Sequence, residues 1–580
     1  MTKKDKFRRK KLWAYGKKVR PLIIIGLVFT LINTLLSLAG PYIISVILDS
    51  QLVENLGAKN YSLYLKLCLA FLGVTLAGAI FKYLTSLAYG VLANKLLYII
   101  RKDVFNHVLG LPISFFDQYP AGKVVSRINN DSQDIKMLFQ ILLSDILTSL
   151  IFCMAILIGL FMVDYKMGLI SLLSLPLMYL FLRDYRKKST LYNKDMRRGL
   201  SDLNANLNEN IQAMEIIQAY NNEDYIYEDF SDINDRVYEE GKKLSRLWAY
   251  SSFNISNTLG DLTIALATFY FALSYLNLGL VGLGSLYIFI DYNKKLYSQI
   301  NGLTHRLGYL EKAKSAADQL FELLQVESYE QGSLLGGDFK GRVEFDRVNF
   351  SYKASERVLK DLSFSVKSGE SAAFVGHTGS GKSTIMNLIY DFYPVEDGKI
   401  LLDGKDIRDL SMGELRKQMA IVFQDPYIFK GTIYENISLF DESISKEEAK
   451  QALLEVGAED FLSRLDKGID SPIAEKGSGF SSGEKQLISF ARALVRKPKL
   501  LVLDEATSNV DTETEKYIQY GVDRLKEGRT TLIIAHRLST IRDVDTIYVL
   551  EDGRIIEKGN HNYLISQDGV YRKMYLSQSN

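Results

Sequence analysis

Six apolar runs in the first 310 residues constrain this chain more than anything else in it. Leu22–Leu48, Leu65–Leu92, Leu142–Met162, Met167–Leu182, Phe253–Leu273 and Leu283–Leu303 are dominated by aliphatic and aromatic side chains. About 20 helical residues cross the ~30 Å hydrocarbon layer of a bilayer, so these runs predict about six crossings. Met167–Leu182 is short, but without it the two halves of residues 21–310 would take inconsistent orientations. Ahead of the runs, Arg8–Lys18 is basic, with Leu12, Trp13 and Tyr15 interleaved and Phe7 just before. It reads as an amphipathic helix on the inner membrane surface, residues 1–20 forming an elbow into the first span. It does not read as a cleavable signal peptide, because the next apolar run is too long and lacks a small-residue cleavage site.

Loops 49–64, 163–166 and 274–282 are short and carry little positive charge, whereas 93–141 and 183–252 are long, charged and helix-periodic. The positive-inside rule then puts the N-terminus, the long loops and the C-terminal half in the cytoplasm. The long loops read as helices continuing past the membrane. The turn of the first hairpin carries Phe115, Phe116 and Asp117, followed by Gly122, Ser126, Arg127 and Asp131. Its aromatic pair suits a cleft on the soluble half; packing within the hairpin is the alternative. The second hairpin is expected to turn near Asn206–Asn222.

The 580 residues hold 70 basic and 68 acidic side chains, a formal net charge of +2. No global field favours nucleic acid, and none is expected as a partner. Cys68 and Cys153 lie in apolar runs and fit neither a metal spacing nor a disulfide framework. Polar residues inside the spans point to what passes through. Asp291 sits near the middle of the last run, followed by Tyr292, Asn293, Lys294 and Lys295. An ionisable group at that depth is a candidate for lining a substrate path. An intrahelical pair with Lys295, four residues on, is the alternative. Asp261 and Asp145 lie nearer the inner boundary. The polar interruption of this run predicts a helix facing a watery cavity.

After a charged connector at 311–340, residues 341–580 have the composition of a soluble α/β domain. Ala372–Val375 reads as a strand and Ile385–Ile389 as a helix. Between them stands Gly376-His377-Thr378-Gly379-Ser380-Gly381-Lys382-Ser383-Thr384. The glycines let successive amides turn inward around phosphate oxygens. Lys382 reaches the outer phosphates, Ser383 offers a hydroxyl to Mg²⁺, and the helix start adds its positive end. ATP with Mg²⁺ is therefore the expected ligand. Tyr352 is a candidate for stacking on adenine. Lys499–Glu505 is an apolar strand ending in two carboxylates, Asp504 to hold Mg²⁺ and Glu505 to polarise the attacking water. A second apolar strand, Thr531–Ala535, delivers His536 toward the γ-phosphate. Gln424, after Ile421-Val-Phe, is placed to sense metal or water.

In this order the motifs resemble the ATP-binding cassette superfamily, and the arrangement of halves resembles an exporter half-transporter over nearly the whole chain. The resemblance implies an α-helical membrane domain of six transmembrane helices, type IV exporter-like, plus an α/β P-loop nucleotide-binding domain. It makes Tyr352 the adenine-stacking residue, Gly376–Thr384 the Walker A loop, Gln424 the Q-loop and Asp504 the Walker B aspartate. Glu505 becomes the catalytic base and His536 the switch histidine. Ser508, Asn509, Val510 and Asp511 resemble the D-loop, Glu475 the contact to the membrane helices, and 113–131 the first coupling hairpin.

The family signature Leu-Ser-Gly-Gly-Gln corresponds to Phe480-Ser481-Ser482-Gly483-Glu484. In the family this segment clamps the γ-phosphate of ATP held by the other chain. Ser482 adds a side chain where the backbones approach, and Glu484 is expected to bring negative charge near the phosphate; both would weaken the clamp. With Lys382, Glu505 and His536 intact, this implies a heterodimer. Its partner, a second half-transporter, would lack the catalytic glutamate. The chain resembles the catalytically intact subunit of heterodimeric bacterial multidrug exporters. The expected function is ATP-driven efflux of small hydrophobic or amphipathic compounds across a bacterial plasma membrane. A homodimeric flippase of lipid or lipid-linked sugar is the alternative. An ATP-gated channel is a reading of another class, and steady passive current in bilayers would identify it.

Overall fold

The computed structural model describes residues 3–54, 61–249, 252–278, 282–327, 337–353, 356–395, 397–504, 512–535 and 538–579. The chain divides into two compact units, one of residues 1–109 and 120–327, the other of Gly110–Tyr119 and Ser328–Asn580.

The first unit is helical. After α1 (Lys3–Lys18) come α2 (Arg20–Glu54) and α3 (Tyr61–Leu109). A short α4 (Ile113–Gln118) follows, which groups with the other unit, and then α5 (Ala121–Val163) and α6 (Tyr165–Gln212). After α7 (Met214–Ala219) and α8 (Glu223–Ala249), α9 (Ser252–Leu278) and α10 (Leu283–Leu323) complete the unit. Among the described residues, α2, α3, α5 and α6 are long and apolar enough to cross a membrane by length and composition. The more polar α9 and α10 are not among these four. At 49 residues α3 is ~74 Å long by its 1.5 Å rise, far more than a bilayer needs. Met167–Leu182, short in the sequence, is the opening of a 48-residue helix that carries Pro176 inside it. The second hairpin turns between Gln212 and Glu223.

The N-terminal helix forms, but not on the apolar stripe expected of it. Its inward face is set by Arg8, which donates to both carboxylate oxygens of Asp318 (2.7 and 2.6 Å), and by Tyr15, stacked on Phe321 at 6.3 Å. Trp13 is left 68 % exposed, with Lys17 over its ring.

Polar side chains of α10 tie helices together. Tyr292 donates to Leu38 O (2.8 Å), Ser171 to Asn293 Oδ1 (2.9 Å), and Tyr297 to Ser174 Oγ (2.7 Å). Ser149 donates to Gln299 Oε1 (2.9 Å) and Asn301 to Asn257 Oδ1 (3.0 Å). The intrahelical alternative for Asp291 is realised: Lys295 Nζ lies 2.7 Å from its carboxylate. Asp261 is exposed. Lys295 also donates to Ser37 O at 3.2 Å. That carbonyl is four residues before Pro41 of α2, where the ring has no N–H to return to it. One ammonium thus forms an ion pair with the Asp291 carboxylate and donates to a carbonyl orphaned by the proline. Lys295→Met is expected to lower stability by about 1–2 kcal/mol, the discounted cost of stranding one partner of a partly exposed pair. Lys295→Met with Asp291→Asn should recover part of that loss, read as thermal unfolding in detergent.

Among the described residues the second unit holds three sheets, the smallest a two-stranded pairing of Gly431–Thr432 with Pro472–Ile473. β1 (Val343–Phe350) pairs antiparallel with β2 (Leu359–Val366) and β4 (Asp397–Leu402), with a two-residue strand at Lys405–Asp406 on the edge. The largest sheet contains β3 (Ser371–Gly376), β5 (Met419–Val422), β6 (Leu500–Asp504), β7 (Thr530–Ile534), β8 (Thr546–Glu551) and β9 (Arg554–Gly559). Their order is β9-β8-β3-β7-β6-β5, parallel except for β9. Alternate residues enter opposite cores. Ala373, Val375, Leu501, Leu503 and Ile533 join one buried cluster, and Ala372, Phe374, Leu500, Val502, Leu532 and Ile534 the other. A sheet covered on both faces needs the near-continuous apolar strands that the sequence shows.

Candidate nucleotide-binding site

Among the described residues, the phosphate loop, Asp504 and the Gln424 segment leave this parallel sheet at one edge. In register, Phe374 of β3 pairs with Ile534 of β7, and Ile534 with Asp504 of β6; Leu503 pairs with Val422 of β5. Neighbouring strands lie ~4.8 Å apart, so the phosphate loop after Gly376, Asp504, and Gln424 two residues past β5 issue side by side. The carboxyl edge of a parallel sheet is where such folds bind ligands. Glu505, the D-loop residues Ser508, Asn509, Val510 and Asp511, and His536 lie outside the described residues; the strands that deliver Glu505 and His536 end at this edge.

The loop has the geometry its glycines predict. Gly379 sits at φ +87°, and a Cβ there would meet nothing within 4 Å, so the loop is open on that side. Gly381, at φ +98°, begins α11 (Lys382–Ile389); a Cβ there would come within 2.6 Å of Leu359 Cδ2. Lys382 is buried and donates to Gly376 O (2.7 Å) and His377 O (3.0 Å). Ser380 donates its amide to His377 O, while among the described residues its buried hydroxyl has no partner. An open left-handed glycine, an orphaned buried hydroxyl and a lysine folded onto the loop fit a polyphosphate. His377, Thr378 and Ser383 face solvent.

Tyr352 is 43 % exposed and edge-on to Phe350 and Tyr393, with centroids 4.9 Å away in each case. Its hydroxyl donates to Thr384 Oγ1 (3.2 Å) and accepts from Asn387 Nδ2 (3.0 Å). The stacking candidate is thus bolted to the helix that follows the phosphate loop. Nothing in the sequence flagged Asn387 or Tyr393.

Two further side chains missed by sequence reasoning hold the Gln424 segment, both from α13 (Ser482–Leu494), whose start is the signature. Gln486, buried, donates to Gln424 O at 3.4 Å. Arg492 donates to Asn436 O (2.8 Å) and Tyr427 O (3.1 Å), and burial pushes its guanidinium down to about 10.

The signature differs from expectation in one respect. Ser481 caps α13, accepting from the Glu484 amide (3.2 Å), and the Ser481 amide donates to Glu484 Oε2 (2.8 Å). This reciprocal capping box turns the carboxylate back along its own helix. Its other oxygen accepts from Arg464 Nη2 at 3.1 Å. Glu484 therefore does not project negative charge outward; Ser481 and Ser482 form the exposed edge. Glu475 lies exposed in a single turn, Glu475–Gly477. Phe115, in α4, is buried, stacked on Tyr119 at 4.7 Å and edge-on to Phe116 at 5.5 Å. The local packing is thus real, and α4 groups with the second unit. Asp117 is exposed.

A phosphate-cradling ATPase unit carried on one chain with a bundle of spanning helices defines an ATP-hydrolysing transporter of the membrane, crossing it several times. The chain matches the family descriptions "ABC transporter transmembrane region" over residues 23–297 and "ABC transporter" over 359–508. It is 44 % identical over 505 residues to a probable multidrug resistance ABC transporter ATP-binding/permease protein, YheH, of Bacillus subtilis (strain 168), covering 87 % of this chain and 75 % of that one. It is 37 % identical to a putative ABC transporter ATP-binding protein, exp8, of Streptococcus pneumoniae, over 98 % and 97 % of the two chains. An ATP-dependent lipid A-core flippase of Pectobacterium atrosepticum is 31 % identical over 98 % of each. Among solved structures, a bacterial Atm1-family ABC exporter with ATP bound superposes with a TM-score of 0.77 at 26 % identity, over 98 % of this chain and 99 % of that one. The chain belongs to the ABC transporter family and has its type IV exporter fold.

Proposed function

We propose that the chain is the hydrolytically equipped half of a heterodimeric exporter that expels amphipathic compounds, among them drugs, across a bacterial plasma membrane. The observation that carries this reading is the pairing of a well-formed phosphate loop, with Lys382 on its carbonyls, with a signature altered at Ser482. A partner with an ordinary signature completes the site of Lys382 and Glu505. This chain's own signature then covers a partner site lacking the glutamate. The name of the Bacillus relative supports a drug cargo, and that of the Pectobacterium relative supports the second reading, a homodimeric lipid flippase.

In this reading the N-terminus, long helical hairpins and C-terminus are cytoplasmic. Two ATP molecules draw the ATPase units together; Phe115, Phe116, Asp117 and Glu475 pass that closure to the membrane helices. ATP drives the cycle because it binds the closed state more tightly than the open one. Ser383, Gln424 and Asp504 supply hydroxyl, amide and carboxylate oxygens, the hard donors Mg²⁺ prefers. Bound there, Mg²⁺ would neutralise phosphate charge. Glu505 orients the attacking water and His536 the γ-phosphate. The test is production of the chain alone. A heterodimeric subunit should give no Glu505-dependent ATPase and no drug transport until its partner is supplied. Robust transport by the purified homodimer overturns the heterodimer.

A further inference from the structure

The pairing of Arg464 with Glu484 has no part in the chemistry above, yet it decides where a carboxylate points. Arg464 caps the C-terminus of α12 (Glu459–Ser463), and its Nε donates to Asp460 O at 3.2 Å, anchoring the guanidinium to its own helix. From there Nη2 reaches Glu484 Oε1 at 3.1 Å. The same two segments meet through Phe461 and Phe480, edge-on at 5.7 Å, Phe461 being buried and Phe480 standing just before the Ser481 cap. Glu484 is the less exposed partner of the pair, at 19 % against 67 % for Arg464. Its carboxylate is gripped on one oxygen by the Ser481 amide and on the other by Arg464. Without the guanidinium, Glu484 Oε1 loses its partner, the carboxylate is held by the Ser481 amide alone, and the rotamer that swings the charge toward the Ser481–Ser482 edge becomes accessible.

We propose that Arg464 is a positioning residue for nucleotide binding: it holds Glu484 folded back, so that the start of α13 presents no net negative charge to a phosphate. This rests on the reading that the start of α13 faces the nucleotide held by the other subunit. It explains how a glutamate is tolerated at this position, which an uncompensated carboxylate would make repulsive to ATP.

The test uses the full complex in lipid nanodiscs, with steady-state hydrolysis measured against MgATP concentration. Arg464→Ala should raise the half-saturating ATP concentration roughly three- to tenfold, the scale of one freed like charge near a phosphate at an exposed site, with a smaller change in kcat. The shift should shrink as salt is raised. Arg464→Lys should restore most of the affinity, and Arg464→Ala with Glu484→Gln should restore it as well, because the offending charge is gone. If the double variant is as impaired as Arg464→Ala, the arginine acts through folding and the proposal fails. Ser482→Asp separates the two layers, placing a carboxylate directly on the exposed edge. If it weakens ATP dependence while Arg464→Ala is silent, the positioning role falls and the facing of α13 stands. If both are silent, the reading of α13 itself falls.

Discussion

Glu505→Gln should leave ATP-driven closure intact while lowering ATP turnover of the complex by about two to four orders of magnitude, the range general-base catalysis supplies. The substitution keeps the shape of the side chain and its ability to accept a hydrogen bond, but removes its ability to take a proton from water. The backbone that delivers it is firmly set. Leu500–Leu503 of β6 are buried between two strands, and Asp504 at its end is in register with Ile534. Steady-state phosphate release and the fraction of complex retaining unhydrolysed ATP are the readouts. A variant that traps nucleotide and scarcely turns over is the expected result; rapid steady-state hydrolysis would remove Glu505 from the role of base.

Lys382→Met should act earlier, on binding. The ammonium is buried against the carbonyls of Gly376 and His377, within the loop whose open side is at Gly379. Methionine keeps much of the length of the stem but removes every donor and the charge. MgATP affinity is expected to fall about a hundredfold or more, close to 3 kcal/mol, from the loss of charge-assisted contacts to phosphate. Titration with MgATP measures the loss. An unchanged melting temperature without nucleotide, together with lost stabilisation by ATP, would place the defect in binding rather than folding. Unaltered affinity would show that the loop amides alone hold the phosphates.

Much of this site was legible before any fold was known, because its parts are local. A left-handed turn needs glycine within a few residues, which makes Gly379 and Gly381 readable. A strand buried on both faces must be apolar throughout, which makes β6 and β7 and their polar endings readable. The same locality misled where a side chain had a remote partner. By its neighbours alone Glu484 reads as an outward charge, because its tether, Arg464, comes from another segment 20 residues earlier. In the polar stretch around Asp291, the partners of Tyr292, Asn293 and Lys295 on other helices are likewise invisible in the local sequence.

The sequence by itself determined that the first half carries apolar runs suited to a bilayer, that one loop has the backbone freedom to wrap phosphate, and that carboxylates and a histidine directly follow apolar, strand-forming runs. Those outcomes follow from solvation and backbone sterics acting over a handful of neighbours. Only the tertiary structure decided that Lys295 would cap the carbonyl freed by Pro41, 258 residues from Ser37, and that Tyr352 would be pinned by Thr384 and Asn387. Such partners are chosen by which faces the packed core brings within about 3 Å. Hydrogen bonds at that range reward geometry that no stretch of sequence contains alone.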